Sequence, residues 1–226
     1  MKKSILIIAA HPDDEVLGCG ATVSKLADEG YDIYTLILGE GVTSRDMKRD
    51  AGQREEEIDK LKQEINAANN KLGVKKVFTY DFPDNRFDSV DLLDIVKKVE
   101  EIKQKTKPSI IFTHYKNDLN VDHRVTYNAV MTATRPLSEE TVKEIYSFEV
   151  LSSTEWNYPL SFSPNTFFDV TSTIRKKKEA MELYGSELRD FPHPRSIEGI
   201  ELNAKNWGMK TGIKYAEAFL LVRMIK

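Results

Sequence analysis

The sequence predicts an α/β fold: a single Rossmann-like domain whose mostly parallel sheet carries helices on both faces. Three observations predict it. Residues 4–10, "SILIIAA", form a continuous apolar run, as expected of a parallel strand covered on both sides. Strand-like and helix-like stretches then alternate with connections long enough for right-handed helical crossovers. Two of the helical stretches stop at a glycine, Gly30 and Gly73.

The elements follow in order. After the first strand comes a helix over about 15–29, then a second strand over 31–38 and the glycine-containing loop "GEGVTS". A long polar helix is expected over about 45–72, because Ile58, Leu61, Ile65, Ala68 and Leu72 recur at helical spacing. A third strand covers 75–82, an amphipathic helix 89–107 and a fourth strand 109–114. A helix over about 122–134 follows, with later strands at 144–150 and 216–223 and a helix near 171–184 between them. Residues 151–165 read as irregular surface chain. The stretch 185–215, rich in glycine and proline and poor in aliphatics, reads as a lid or a surface for homo-oligomer assembly. Ligands of such sheets bind beyond the carboxyl ends of the strands, which selects the loops 11–20, 39–46, 81–88 and 114–122.

Composition narrows the function classes. The 226 residues are 40% hydrophobic and 31% charged with a net charge of −3, so no basic footprint suggests nucleic acid. No apolar run approaches the roughly 20 residues of a membrane span. The first ten residues resemble a signal peptide, but charges stand where small residues should mark cleavage, and they read as a strand. The single cysteine, Cys19, allows no internal disulfide and predicts a reducing, cytoplasmic setting.

The chemistry concentrates in "AAHPDDEVLGCGAT", residues 9–22, where His11, Asp13, Asp14 and Glu15 follow directly on a buried strand. Carboxylates this close repel one another unless a positive charge sits among them. His11 and Asp14, three apart at a strand-to-helix turn, can face one point, and His123 can reach it from the loop after the fourth strand. Two imidazoles and one carboxylate with an open fourth position make a catalytic zinc site, and the same donors accept iron(II). Taken one by one, the residues have plainer readings. Paired aspartates at a helix start are most often caps, and a strand-end histidine is most often structural. Cys19 is a small packing residue rather than a nucleophile.

Together the motifs resemble those of the LmbE-like, or PIG-L, zinc-dependent de-N-acetylases. That family includes enzymes acting on N-acetylglucosaminyl-phosphatidylinositol and on the sugar precursors of mycothiol and bacillithiol. The resemblance extends through "QREEE" (53–57), "PDNRFD" (83–88), "THYKNDLNVDHR" (113–124), "FPHPRS" (191–196) and "GIKYAEAF" (212–219). It implies that His11, Asp14 and His123 hold zinc and that Asp13 is the general base. Asp122 is then a carboxylate orienting a neighbouring imidazole. Asn120 stands where the family commonly has a histidine. An amide donates to an oxyanion but delivers no proton, so the proton for the leaving amine falls to His114 or to Asp13. Arg54 and Arg86 match arginines near the substrate, an N-acetylated glucosamine-like sugar, and His193 reaches that substrate only if the late loop folds over the site. The implied reaction is hydrolysis of the acetamide to acetate and a free amine. Two other readings share the fold. One is a nucleotide-dependent oxidoreductase, for which "GCG" supplies only the start of a glycine fingerprint. The other is a non-catalytic metal- or sugar-binding module, to which Asn120 points.

Overall fold

The computed structural model describes residues 3–42 and 54–226. Seven strands form one sheet in the order β3-β2-β1-β4-β5-β7-β6. They are β1 (Ser4–Ala9), β2 (Asp32–Gly39), β3 (Lys76–Phe82), β4 (Ile110–His114), β5 (Glu144–Phe148), β6 (Thr166–Asp169) and β7 (Ala216–Met224). The first five pair in parallel, whereas β7 runs antiparallel to both β5 and β6. The helices are α1 (Asp14–Asp28), α2 (Glu55–Leu72), α3 (Leu92–Thr106), α4 (Val121–Ala133), α5 (Ile174–Glu182) and α6 (Ile197–Thr211).

The apolar run of β1 reflects its central place. Ile5, Ile7 and Ala9 join the core on the face carrying α1, α2 and α5. Leu6, Ile8 and Ala10 join the core on the face carrying α3 and α4. Side chains alternate with period two, so a strand covered on both faces must be apolar at every position. Each buried isoleucine or leucine contributes roughly 1.5–3 kcal/mol. Edge strand β3 instead has no fully buried residue, with Lys76, Thr79 and Asp81 exposed.

Two elements depart from the expected order. The strand β6 is absent from the sequence-based order; three of its four residues are partly buried and Asp169 is exposed. Within 185–215 lies a regular helix, α6, capped by the Ser196 hydroxyl, which accepts from Gly199 N–H at 2.9 Å. The start expected for the long polar helix, near residue 45, lies outside the described residues, and its described part is α2. No described helix is long and apolar enough to cross a membrane.

β1 lies between β2 and β4, so the chain order reverses across it, and the crevice at the carboxyl ends of β1 and β4 is the expected ligand position. His11 follows β1 there, and α4 begins above the end of β4.

Candidate metal centre and active site

The turn from β1 into α1 is built tightly. Gly39, at the end of β2, donates its N–H to Ala10 O at 2.7 Å. A Cβ on Gly39 would lie 2.9 Å from that oxygen and 3.3 Å from the His11 ring, so no side chain fits beside this strand end. Asp13, the residue before α1, has φ 89°, a left-handed conformation that costs a non-glycine residue energy. Its side chain makes no capping bond to the helix; it meets Arg195 Nη1 at 2.9 Å instead. Asp14 accepts from the His11 N–H at 2.8 Å.

Asp14 is the meeting point of three imidazoles. Its Oδ2 lies 3.5 Å from His11 Nδ1, 3.3 Å from His123 Nε2 and 3.5 Å from His114 Nε2. One donor atom each from His11, Asp14 and His123 lies within 4.8 Å of the others. The far nitrogen of each outer ring faces a carboxylate. His11 Nε2 donates to Asp122 Oδ2 at 2.9 Å and sits 3.2 Å from Asp84; His123 Nδ1 lies 3.1 Å from Asp118. Asp122 is anchored in turn by the Phe87 N–H at 2.9 Å. Asp118 accepts from the Asn120 N–H at 2.8 Å and from the hydroxyls of Ser153 and Thr154.

This nest of anions draws in protons. Burial alone would lower the His123 imidazole, but Asp14 and Asp118 bring it up to about 9. His11 is likewise raised by Asp122 and Asp14 against the cost of burial. Burial pushes Asp118 up, yet the His123 imidazole and the Ser153 and Thr154 hydroxyls outweigh it and bring the carboxyl to about 2. Two neutral imidazoles and one carboxylate are the donors a divalent ion takes, and the ion would replace the two protons. The donor set therefore fits a metal.

A cavity of about 160 Å³ opens onto this centre. Its wall includes His11, Pro12, Asp13, Asp14, Asn120 and His123, together with Gly41, Asp84 and Asn85. The wall thus draws on all four expected loops. Val150, Ser152, Ser153, Glu187 and Arg195 complete it; none of these five was singled out from the sequence, although Glu187 and Arg195 lie in the segment read as a lid and Arg195 in the "FPHPRS" motif. Burial pushes the Asp13 carboxyl well above the usual carboxylate range, with Arg195 pulling it back. Asn120 caps α4 by accepting from the Asp122 N–H at 2.8 Å and donates one amide N–H to Asn85 at 2.7 Å.

Other expected residues lie elsewhere. His114 is fully buried and does not line the cavity. Its Nε2 accepts from the Ala10 N–H at 2.8 Å, so its proton sits on Nδ1, which is buried with no hydrogen-bond partner among the described residues. Burial and the neighbouring His123 hold it well below the ordinary imidazole value, and its ring stacks on His123 at 4.0 Å. That placement is wrong for a proton donor to substrate. Arg54 binds Glu57 at 2.8 Å at the start of α2, and neither it nor Arg86 is part of the cavity wall. His193 sits just outside, its Nδ1 accepting from the Arg195 N–H at 3.2 Å. Glu15 points away from the metal donors and accepts from Tyr184 Oη at 2.6 Å and Asn69 Nδ2 at 2.8 Å.

A profile of the PIG-L family, described as GlcNAc-PI de-N-acetylase, matches residues 6–134, which include the candidate metal donors His11, Asp14 and His123. The chain belongs to this family. An Escherichia coli K12 protein named uncharacterized deacetylase YaiS is 32% identical over 174 residues, covering 75% of this chain and 83% of that one. The structure of the N,N'-diacetylchitobiose deacetylase of Pyrococcus horikoshii superposes with a TM-score of 0.76 at 22% identity, over 98% of this chain and 84% of that one. GalB, the 4-carboxy-2-hydroxymuconate hydratase of Pseudomonas putida, also superposes, with a TM-score of 0.74 at 23% identity over 99% and 98% of the two chains. The fold alone does not choose the reaction. Membership of the PIG-L family does: the protein is a metal-dependent N-deacetylase.

Proposed function

We propose that this PIG-L protein holds zinc on His11, Asp14 and His123 and hydrolyses the N-acetyl group of a glucosamine-like sugar or glycoconjugate. One observation carries the reading. Three metal-compatible donors and a further carboxylate, Asp13, meet at the wall of one cavity. Zinc there would polarise the acetamide carbonyl and lower the pKa of a water molecule toward about 7.

The chain's own residues supply the rest. Asp13 is buried enough to be a stronger base than an exposed aspartate, and Arg195 holds it in place. It takes the proton of the attacking water. Asn120 spends one amide N–H on Asn85 and keeps a second for the oxyanion of the tetrahedral intermediate. With His114 buried behind His123, Asp13 returns the proton to the leaving amine, and acetate and the amino sugar separate. Asp122 and Asp118 orient the two imidazoles. His114 supports the His123 ring from behind by stacking.

The test is release of primary amine from a panel of N-acetylated sugars by protein stripped of metal and reconstituted with zinc or with iron(II). Zinc is expected to restore turnover that the stripped protein lacks. Full turnover after stripping, or no amine from any sugar, overturns the proposal; activity with iron alone overturns the choice of metal.

A further inference from the structure

The cavity is too small for the substrate class just proposed. At about 160 Å³ it falls below the roughly 300–1,000 Å³ of sites that enclose a small-molecule ligand. A cavity of that size does not enclose a whole N-acetylated sugar. The remainder of the sugar, and whatever is attached to it, must lie beyond the rim.

Two aromatic groups stand on that rim, each one short turn from a cavity residue. Ser153, in the wall, accepts the N–H of Trp156 at 3.2 Å. Arg195, also in the wall, donates its N–H to His193 Nδ1 at 3.2 Å. The two segments are tied by Arg195 Nε, which donates to Ser152 Oγ at 2.6 Å. Trp156 and His193 thereby meet edge to face, with ring centroids 5.7 Å apart and planes at 86°. The indole remains 42% exposed, although a tryptophan is ordinarily much more buried. Phe191, two residues before His193, is 54% exposed.

The chemistry of the pair is specific. Because His193 Nδ1 is an acceptor, the neutral ring carries its proton on Nε2 and presents a donor. An exposed indole presents a flat apolar surface beside it. A pyranose offers the complement of both: a face of C–H groups and a rim of hydroxyl oxygens.

We propose that Trp156 and His193 form a subsite for a second, uncharged sugar ring linked to the N-acetylated one. Trp156 carries the apolar face of that ring, and His193 Nε2 donates to one of its hydroxyls. The protein then discriminates by what lies beyond the reacting sugar. This rests on the sugar reading above.

The experiment compares kcat/KM for N,N'-diacetylchitobiose with that for N-acetylglucosamine, using zinc-reconstituted protein. Wild type is expected to prefer the disaccharide. Trp156→Ala should lower the ratio of the two by about 2- to 12-fold, the range for losing an aromatic contact. Trp156→Phe, which keeps a ring, should recover most of it. A ratio unchanged in Trp156→Ala overturns the subsite. So does a change in oligomeric state by light scattering in that variant, which would make the rim a contact between copies of the chain.

A binding arm separates failure of the subsite from failure of the reaction. The chain has two tryptophans, so emission in Trp156→Ala reports Trp207 alone. Quenching of wild-type emission by the disaccharide, lost in the variant, supports the subsite even if no amine is released. Equal quenching in both proteins overturns it.

Discussion

Asp118→Asn tests how the metal centre is held together. Asp118 is fully buried and gathers four contacts: His123 Nδ1 at 3.1 Å, the Asn120 N–H at 2.8 Å and the Ser153 and Thr154 hydroxyls. An amide keeps the shape. With its oxygen at the Oδ1 position it still meets His123, Asn120 and Ser153, and its NH2 faces Thr154, whose hydroxyl can turn to accept. The substitution therefore removes charge more than contacts. Replacing a partner that orients a metal-bound imidazole typically weakens metal affinity by about 10–100-fold. That is about 1.4–2.7 kcal/mol.

The same residue sets a pH dependence in the metal-free protein. Asp118 falls from an ordinary value of 3.8 to about 2. A depressed carboxyl stabilises the fold above its unfolded value and loses that contribution as pH falls through its folded value. The contribution is about 2 kcal/mol, fully present above pH ~5 and lost toward pH 2. Asp118→Asn should lack this part of the acid limb. Zinc affinity is measured by competition with a chromophoric chelator, and stability by urea unfolding of apoprotein between pH 2 and 6. Wild-type zinc affinity in Asp118→Asn would refute the reasoning, because the carboxylate would then do nothing for the His123 ring.

Three further outcomes are expected. Asp13→Ala should retain zinc by elemental analysis yet lose about 10²–10⁴-fold in turnover, the usual contribution of a positioned base; loss of metal with an unchanged rate per bound zinc would instead make Asp13 a ligand. Arg195→Ala removes the cation 2.9 Å from Asp13, and the loss of a charge-assisted hydrogen bond worth about 1.5–3 kcal/mol should cut kcat by roughly 10–150-fold at full zinc occupancy. Tyr184→Phe takes one donor from buried Glu15, which keeps Asn69; thermal unfolding should show a loss of about 1–3 kcal/mol, and an unchanged midpoint would mean that Glu15 does not depend on that bond.

What was legible in the sequence follows from how each element is buried. β1 could be read at once, since a strand covered on both faces leaves no polar position to blur its run. α6 could not. Its buried stripe is Ile200, Ala204 and Gly208, two of them small residues where a helix pattern is sought in large ones. A Cβ on Gly208 would lie 2.4 Å from the Ile213 oxygen, so the glycine is needed where the chain returns from α6 toward β7. A close approach of backbone thus erases the hydrophobic signal that would have announced the helix. His114 misleads for a different reason. A strand-end residue can face the crevice or either side of the sheet, and its ring turns to Phe148 at 4.9 Å and to His123. Arg195 lies within the "FPHPRS" motif, yet its role was not legible there, because its partner Asp13 lies 182 residues away in the chain.

The distribution of carboxylates explains why so acidic a turn is tolerated. Asp122 has His11 and the Phe87 N–H; Asp118 has His123, two hydroxyls and the Asn120 N–H; Asp13 has Arg195. Each of these is matched to its own donors and fixes a ring or an arginine in place. Asp14 alone is shared, its Oδ2 within 3.5 Å of three imidazole nitrogens and 2.8 Å from the His11 N–H. His114 Nε2 already accepts from the Ala10 N–H and has no proton to give Asp14, and His11 and His123 can donate to Asp14 while facing carboxylates on their far side only as doubly protonated rings. A divalent ion beside Asp14 would take the place of those two protons: His11 and His123 could offer it their near nitrogens and keep their far N–H groups for Asp122 and Asp118. The outer carboxylates would thus select which nitrogen of each ring is free for the ion, and Asp13, tied instead to Arg195, would be left for the proton transfers proposed above.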